Sequence, residues 1–392
     1  MSRSDADHRS GPLRGSRIVE LAGVGPGPFC AMMLADLGAD VVRLDRASFA
    51  AGGADPAGVP QGVLGRGRRS VGVDLKRLDG AELALRLVER ADGLVEPYRP
   101  GVAERLGIGP DTCLARNPRL VYARVTGYGQ HGPLAADAGH DLNYLGLSGM
   151  LARLGPAGGP PTAPLPLLGD FASGGLLTAF GLVCGLWEAS RSGRGQVIDS
   201  AMVDGVALLG TVYHGLRAAG LWSDERGTNF SDGAAPFYQV YQCAGGGHLT
   251  VGAYEAPFYA ELLRLTDLTD DPDFAAQHDR GRWPTMTRKL AAVFRERTRD
   301  AWCAAATSHD ACVTPVLTPA EAPAHPHNVA RSTFIECAGI TQPAPAPRFS
   351  RTPGAVPGPP PDPGGHTDEV LREWLDLTDS QIDSLRETGA VA

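Results

Sequence analysis

The sequence predicts an α/β protein with a large, doubly wound, mainly parallel sheet domain and a smaller α+β domain. Short apolar, β-branched runs alternate with helical patterns through residues 17–126, which is typical of strands joined by crossover helices. A chain of 392 residues also exceeds what one ordinary core supports, so two domains are expected. We place the large domain at residues 11–220 and the small domain at residues 225–330. Residues 331–392 form a linker and a C-terminal segment that returns to the large domain.

Each element is predicted from its local pattern, taken along the chain. In the large domain, strands are expected at residues 17–21, 40–44, 70–74, 93–96, 120–126 and 195–198, with helices at residues 29–37, 81–90, 102–106, 171–187 and 200–219. In the small domain, strands are expected at residues 238–243, 248–252 and 311–317, with helices at residues 255–265 and 283–298. The proline-rich residues 343–363 predict an extended linker, followed by helical pieces at residues 366–375 and 380–387.

The turn after the first strand argues against a nicotinamide enzyme. Its glycines lack the G-x-G-x-x-G spacing, and Pro26 and Pro28 lack the N–H donors that a pyrophosphate-binding turn uses. A nucleotide-bearing ligand would instead be held by side chains after the second strand, where Asp45 and Arg46 lie.

Composition narrows the possible partners and the compartment. Thirty-six Lys plus Arg against forty-four Asp plus Glu give a net charge of −8, which disfavours nucleic acid and anionic membranes. The seven cysteines are scattered without a Cys-x-x-Cys pair, so a reducing cytoplasm is expected. Residues 1–10 carry no apolar core of a signal peptide. The apolar run at residues 171–187 is short for a membrane span and rich in glycine, so we interpret it as a core helix and expect no membrane association.

A basic cluster follows a region without periodicity. Residues 47–67 are rich in Gly, Ala and Pro and predict a flexible loop. Arg66, Arg68 and Arg69 come at its end, and two interpretations stay open for them. They form either a solvated basic turn or a phosphate clamp, since guanidinium groups match phosphate oxygens.

Three side chains are candidates for acid/base chemistry. His140 lies between Gly139 and Asp141, at the start of a helical pattern. Asp170 directly precedes the uncharged helix, so one interpretation is a helix N-cap. The other is a catalytic base, because the helix dipole favours its carboxylate form whereas desolvation by apolar neighbours raises its pKa. Glu255 follows a strand of the small domain, where a first-turn glutamate is the structural alternative. A metal site is not expected, because the pair His325 and His327 lies in a proline-containing loop.

With these residues identified, the chain resembles the family III CoA-transferases, also called the CaiB/BaiF family, and within it the α-methylacyl-CoA racemases. The resemblance spans about residues 11–352. It rests on Gly11-Pro-Leu-Arg-Gly-Ser-Arg-Ile-Val-Glu-Leu-Ala-Gly23, Gly25-Pro-Gly-Pro28, Leu34-Ala-Asp-Leu-Gly-Ala-Asp-Val-Val-Arg43, Val73-Asp-Leu-Lys76, Tyr98-Arg-Pro-Gly101, Thr126-Gly-Tyr-Gly-Gln130, Ala138-Gly-His-Asp141, Gly169-Asp-Phe171, Gly195-Gln-Val-Ile-Asp-Ser-Ala-Met-Val-Asp204 and Ala346-Pro-Arg-Phe-Ser350.

The resemblance implies an interlocked homodimer, a CoA thioester substrate, a role in lipid metabolism and no cofactor besides the CoA of the substrate. It implies that His140 and Asp170 are a two-base pair and that Glu255 orients the histidine. It also implies a set of CoA and substrate contacts, which are Arg46, Val73, Lys76, Arg99, Arg105 and Tyr144.

The expected reaction is epimerisation of a 2-methylacyl-CoA by 1,1-proton transfer through an enolate. Backbone N–H groups at the helix start near Asp170 are expected to stabilise the enolate oxygen. Two alternatives are a CoA-transferase that forms an anhydride on Asp170, as transferase members of the family do, and a non-catalytic acyl-CoA binder. One departure bears on the choice: racemases typically carry Asn four residues before the catalytic Asp, and Pro166 stands there. Proline has no side-chain amide, so altered hydrogen bonding of the pair is expected.

Overall fold

The computed structural model describes residues 9–51 and 62–392, which form two compact units. The first unit contains the chain up to Ser148, Leu165–Leu209 and Val329–Ala392, and the second contains Gly149–Pro164 and Gly210–Asn328. The large domain was predicted to run through residue 220. In the structure, residues 149–164 and 210–220 belong to the second unit instead. The predicted flexible loop begins with a short helix, Ala47–Ala50, and its residues 52–61 lie outside the described residues.

The elements are numbered along the chain. The strands are β1 (Arg17–Leu21), β2 (Asp40–Arg46), β3 (Arg69–Val73), β4 (Gly93–Glu96), β5 (Val121–Thr126), β6 (Gln196–Ala201), β7 (Tyr238–Gln242), β8 (His248–Gly252), β9 (Val313–Pro315), β10 (Phe334–Cys337) and β11 (Ile340–Pro343). The helices are α1 (Pro26–Asp36), α2 (Ala47–Ala50), α3 (Leu78–Glu89), α4 (Val102–Arg105), α5 (Pro110–Arg116), α6 (Asp141–Leu147), α7 (Leu177–Ser192), α8 (Met202–Leu209), α9 (Thr211–Ala218), α10 (Ala256–Leu265), α11 (Trp283–Phe294), α12 (Arg299–Ala306), α13 (Pro326–Ala330), α14 (Thr367–Leu375) and α15 (Asp379–Glu387).

The first unit is built on a six-stranded sheet in the order β3-β2-β1-β4-β5-β6, with every pair parallel. This is the doubly wound arrangement that the alternation predicts, and the strand order reverses between β1 and β4. In such sheets ligands bind beyond the carboxyl ends of the strands near the reversal, because the connecting loops diverge there and leave a crevice.

Both faces of this sheet are covered, so neighbouring residues of one strand enter different cores. Val19 belongs to a core that includes Leu87 and Trp374, whereas Ile18 belongs to a core that includes Leu34 and Leu182. Each of these side chains is almost completely buried. The continuous apolar runs of the strands follow from this double coverage.

The uncharged helix is longer than predicted. A π-helical segment, Leu167–Leu176, continues into α7, giving 26 residues with a mean hydropathy of 1.6 in the most apolar window. By length and composition alone it could cross a membrane, which the predicted residues 171–187 could not. It packs on α1, β5 and β6 of the first unit, and 39% of its most apolar window is buried there.

The basic cluster is neither a solvated turn nor a phosphate clamp. Arg66 donates to both carboxylate oxygens of Asp36 at 3.1 and 2.6 Å. Arg68 is buried against Glu20 at 2.6 Å, and Arg69 binds Asp40 at 2.6 Å and two glutamates of α14. Both hypotheses were wrong, because the three arginines are at most 7% exposed and each guanidinium is paired with an acidic side chain from another element.

The second unit has its own antiparallel sheet, in the order β7-β8-β9. Phe237, Trp283 and Trp302 lie in its core and are at most 4% exposed. The hairpin between β7 and β8 matches the prediction, and the predicted strand at residues 311–317 shortens to β9.

One further prediction of an element was wrong, and one element was missed. The helix expected over residues 200–219 is interrupted at Gly210, which separates α8 from α9. The hairpin of β10 and β11 was not predicted. After the proline-rich stretch, α14 packs against β3 within the first unit, and the Trp374 indole donates to Asp40 Oδ2 at 3.0 Å.

Candidate active site

A cavity of about 390 Å³ lies at the carboxyl ends of β1, β4 and β5. We call it the His140 cavity. Three loops supply most of its wall: residues 24–26 after β1, residues 97–100 after β4 and residues 125–128 at the end of β5. His140 and Asp170 both line it, although thirty residues of sequence separate them. The reversal of strand order therefore places the two candidate bases at the position where this fold binds ligands.

His140 occupies the N-cap position of α6, with extended backbone dihedrals. Its N–H donates to Asn143 Oδ1 at 3.0 Å, which fixes the start of the helix. The imidazole is exposed rather than packed in the core. A ring held by its backbone at the rim of a cavity is available to a substrate.

Tyr144 holds the loop that precedes His140. It is 4% exposed, and its hydroxyl donates to the Gly139 carbonyl oxygen. Burial raises the pKa of this phenol to about 12, so the hydroxyl stays protonated and keeps donating. A Cβ at Gly139 would come within 2.8 Å of the Tyr144 ring and 2.7 Å of the Tyr128 hydroxyl, so only glycine allows this packing. Predicted as a substrate contact, Tyr144 does line the cavity, but its hydroxyl is engaged with the backbone.

Asp170 lies in the π-helical segment, whose start is held by a second carboxylate. Asp141 Oδ2 accepts from the backbone N–H groups of Gly169 at 2.6 Å and of Asp170 at 2.9 Å. Asp141 is 6% exposed, and a Cβ at residue 169 would come 2.7 Å from its Oδ2. Since Asp141 adjoins His140 in the chain, one carboxylate fixes the positions of both candidate bases. π-Helical turns are frequent at functional sites, and this one carries Asp170.

The pKa of Asp170 is raised from its ordinary value. Partial burial is the main cause, and the negative charge of Asp141 adds to it, whereas His140 opposes the shift. The sequence predicted the desolvation, but the second carboxylate was not foreseen. A raised pKa makes the Asp170 carboxylate a stronger base, which suits a group that takes up a proton.

The same hydrogen bonds bear on the expectation that backbone N–H groups near Asp170 stabilise the enolate oxygen. Two of the N–H groups at this helix start, those of Gly169 and Asp170, already donate to Asp141. The negative charge of Asp141 also offsets the positive end of the helix dipole at this helix start. The donors to an enolate oxygen therefore have to come from other groups than these two.

Pro166 precedes the π-helical segment and takes no part in these bonds. Its dihedrals of −71° and 48° form a tight turn in which Leu167 N–H donates to the Leu165 carbonyl at 2.6 Å. Pro166 is exposed, and so are both leucines. The backbone of Asp170 is held by Asp141 instead.

A second cavity, of about 520 Å³, lies at the carboxyl ends of β2 and β3. We call it the Lys76 cavity. Arg46, Val73 and Lys76, three of the predicted CoA contacts, line it together with Val102 of α4. Arg46 and Lys76 are exposed cations on an apolar wall, which suits a ligand with both phosphate groups and a flat apolar ring.

The remaining predicted CoA contacts lie elsewhere. Arg99 lines the His140 cavity, and Arg105 is an exposed residue of α4 outside the lining of both cavities. Tyr98 lines both cavities, so it marks where they meet. Its N–H donates at 2.8 Å to Glu96, a buried carboxylate that also binds Arg124 at 2.7 Å. Tyr98 is thereby fixed between the two cavities.

Glu255 belongs to the second unit, where it is the N-cap residue of α10. Its expected partner, His140, belongs to the first unit, so the orientation of His140 by Glu255 stays a prediction. Across residues 9–51 and 62–392, no group of three or more His, Cys, Asp or Glu side chains is arranged to hold a metal ion.

Sequence reasoning missed two residues of this site as individual contributors. Asp141 appeared only as the neighbour of His140 and as part of a motif, although a first-turn aspartate is available to accept from backbone N–H groups. Tyr98 also appeared only within a motif, although it follows β4 at the reversal of strand order.

Comparisons with known proteins agree with this architecture. The family model described as CoA-transferase family III matches residues 13–367. An α-methylacyl-CoA racemase from Mus musculus is 48% identical over 365 residues, covering 92% of this chain and 93% of that protein. The racemase of the same name from Homo sapiens is 46% identical with the same coverage. The crystal structure of a CaiB/BaiF family protein from Brucella suis has a TM-score of 0.77 and 27% identity, covering 93% of this chain and 100% of that one.

Proposed function

The chain belongs to CoA-transferase family III, and from this premise we propose that it interconverts the two configurations at C2 of 2-methylacyl-CoA thioesters. The reaction is a 1,1-proton transfer through an enolate. One observation carries the proposal: His140 and Asp170 line a single cavity, and that cavity adjoins a second one with exposed cations. The similarity to α-methylacyl-CoA racemases over 92% of the chain supports the same reaction.

The substrate is placed across both cavities. Arg46 and Lys76 hold the phosphates of the nucleotide in the Lys76 cavity, and Tyr98 lies beside the pantetheine arm where the cavities meet. The thioester and its α-carbon then reach the His140 cavity. Arg99, on the wall of that cavity, and Arg105, on α4, add positive charge near this path.

One proton is shared by the pair through the cycle. In one direction, the Asp170 carboxylate removes the α-proton and protonated His140 returns a proton to the opposite face. The pair is left as a carboxylic acid and a neutral imidazole, which is the starting state for the other enantiomer. The raised pKa of Asp170 lowers the free-energy cost of its protonated form, from which the second direction starts. Glu255 orients the imidazole in this proposal.

Incorporation of deuterium tests the reaction. Each enantiomer of a 2-methylacyl-CoA is incubated with enzyme in deuterated water, and label at C2 and configuration are measured. Wild type should exchange and invert both enantiomers, and the His140→Ala/Asp170→Ala double variant should do neither. Asp137→Ala is the matched control, because Asp137 is an exposed carboxylate of the same cavity outside the pair.

The single variants sharpen this test. His140→Ala keeps Asp170, so it should exchange the proton of one enantiomer without inversion, and Asp170→Ala should show the opposite preference. No exchange by wild type, or undiminished exchange by the double variant, rejects the racemase. Tight acyl-CoA binding without exchange would instead indicate a non-catalytic binder.

A CoA-transferase would use Asp170 as a nucleophile, and the two mechanisms differ in their intermediates. An acyl-enzyme or enzyme anhydride gives a hydroxamate at Asp170 when hydroxylamine is present during turnover, whereas a proton-transfer enzyme gives none. The resemblance to racemases pairs His140 with Asp170, and this second base favours proton transfer over attack by Asp170 alone. Mass spectrometry of the peptide containing Asp170 decides between them.

The active form in this proposal is an interlocked homodimer. Leu176, Phe180, Val183 and Trp187 form an apolar stripe on the π-helical segment and α7, and each is between 37% and 67% exposed. Spacings of four, three and four residues put them on one helix face, and such a stripe indicates an interface. A second copy of the chain is the occupant that the family resemblance implies.

Light scattering after size exclusion tests the dimer. Phe180→Glu/Trp187→Glu should convert it to monomer, whereas Leu78→Glu, at a leucine that is 93% exposed on α3, should not. A monomeric wild type rejects the dimer. The proposal also places the enzyme in the cytoplasm, which the seven free cysteines favour and which cell fractionation tests.

A further inference from the structure

Strand β3 is the edge of the large sheet, and its outer side is paired by the last residues of the chain. The Ala392 N–H donates to the Gly72 carbonyl at 3.1 Å, and the Asp74 N–H donates to the Ala390 carbonyl at 3.0 Å. These bonds form an antiparallel bridge between Val73 and Val391. Such a cover protects an edge strand, because it pairs the outward N–H and C=O groups that could otherwise bind another chain.

Packing holds this terminal strand, residues 390–392, in place. Val391 is 3% exposed and Ala390 is fully buried. Val391 belongs to the same core as Val73 and Ile382. The Thr367 hydroxyl bridges the two strands, since it donates to the Ala392 carbonyl at 2.9 Å and accepts from the Gly72 N–H at 3.1 Å. The strand is therefore an integral part of the sheet.

The paired residues of β3 lead directly into the wall of the Lys76 cavity. Val73 and Asp74 line the cavity, followed by Leu75 and Lys76. The Asp74 carboxylate accepts from the Lys76 N–H at 3.0 Å, so the backbone position of Lys76 depends on Asp74. The Asp74 N–H is the group that Ala390 holds. A chain of two hydrogen bonds thus connects the terminal strand to the lysine of the cavity.

We propose that the terminal strand is a positioning element for the nucleotide of the substrate. It holds the turn of Asp74 and Lys76 against the cavity and so sets the affinity for the nucleotide part of CoA. The terminal strand contributes nothing to proton transfer. It pairs with β3 at one edge of the sheet, whereas His140 follows β5, on the other side of the strand reversal. The inference rests on the proposed function, in that it takes a CoA thioester as the ligand.

Two variants test it. Ala392→Pro removes the donor to Gly72, and Val391→Ala removes two buried methyl groups. Titration calorimetry with free CoA should show about fivefold weaker binding for Ala392→Pro, the factor that one net hydrogen bond corresponds to. Val391→Ala should also weaken binding by about fivefold, because the loss of about 1 kcal/mol of packing loosens the same strand. The KM for the acyl-CoA should rise by the same factor, and kcat should stay within about twofold of wild type, since KM follows binding when chemistry is slow.

A substrate without a nucleotide distinguishes a specific effect on nucleotide binding from a general loosening of the protein. General loosening would also lower the turnover of this substrate. Turnover of the S-acyl-N-acetylcysteamine thioester, which has the same acyl group, should be unchanged in both variants. Leu290→Ala, in the core of the second unit, is the matched control for lost stability and should leave CoA affinity unchanged. Circular dichroism confirms that each variant is folded.

Three results overturn the inference: unchanged CoA affinity in both folded variants, an equal loss with the N-acetylcysteamine thioester, or the same loss of affinity in Leu290→Ala. Failure of the proposed function looks different. Wild type that binds CoA without exchanging deuterium rejects the racemase, while the CoA titrations still decide the role of the terminal strand. Wild type that does not bind CoA at all overturns both.

Discussion

Replacing Asp141 tests the arrangement on which the proposed chemistry depends. Its Oδ2 accepts from Gly169 at 2.6 Å and from Asp170 at 2.9 Å, and the residue is 6% exposed. Hydrogen bonds to a charged group contribute about 1.5–3 kcal/mol each. Water can enter the adjoining cavity and partly replace them, so we take the lower value for both. Asp141→Ala should therefore reduce the free energy of unfolding by about 3 kcal/mol.

The effect of Asp141→Ala on the rate follows from geometry. Without the carboxylate, the start of the π-helical segment is free to shift, and Asp170 shifts with it. Misplacement of a catalytic group by about 1 Å costs about a hundredfold in rate. We expect kcat for deuterium exchange to fall by about that factor, measured at saturating acyl-CoA on the fraction that calorimetry shows to be folded.

Asp141→Asn separates charge from geometry. The amide oxygen still accepts a hydrogen bond, but the negative charge that raises the pKa of Asp170 is gone. The pKa of Asp170 should fall, so its carboxylate survives to lower pH. The acid limb of the pH profile of kcat/KM should therefore move to lower pH.

Two outcomes would refute this reasoning. Asp141→Ala with wild-type stability and rate would mean that Asp141 does not hold Asp170. An acid limb of Asp141→Asn that moves to higher pH would mean that the charge of Asp141 does not raise the pKa of Asp170. The acid limb reports the pair as a whole, so the comparison is made between variants on one substrate.

Three further predictions concern other parts of the first unit. Tyr144→Phe keeps the ring and loses the bond to Gly139, so kcat should fall about tenfold with KM unchanged, as one lost buried hydrogen bond implies; an unchanged kcat contradicts this role. Pro166→Asn should change kcat/KM by less than about twofold, because Pro166 is exposed and donates no support to Asp170; a large gain would show that position 166 limits the rate. Arg68→Met leaves Glu20 buried without its partner, so thermal unfolding should show a free energy of unfolding lower by about 3–5 kcal/mol. The CoA affinity of the folded protein should stay the same, and a selective loss of CoA binding would restore the phosphate-clamp hypothesis.

Much of the fold could be predicted from local patterns. The strand over residues 17–21 and the hairpin of β7 and β8 follow from β-branched runs bounded by glycines, and the structure has both. The break at Gly210 could not be predicted, because the apolar pattern runs through it without interruption. Periodicity reports which residues are buried, and one glycine within a long apolar run leaves that pattern unchanged.

The candidate bases could also be identified from the sequence. His140 and Asp170 stand out as polar residues at the starts of helices, and the resemblance to a known family joins them into a pair. Arg66, Arg68 and Arg69 show the opposite case. Three neighbouring arginines look alike in a sequence, and only the strand order decides that their partners come from other elements.

The sequence by itself determined the alternation of strands and helices, the buried faces and the residue types available for chemistry, because these depend on neighbours within a few positions. The tertiary structure alone decided the connections over longer distances. It brought Asp141 to the backbone of Asp170, placed Tyr98 between two cavities and paired Val391 with Val73. A carboxylate, a phenol or an edge strand has many equivalent partners in a chain of this length, and only packing of the whole sheet selects one of them.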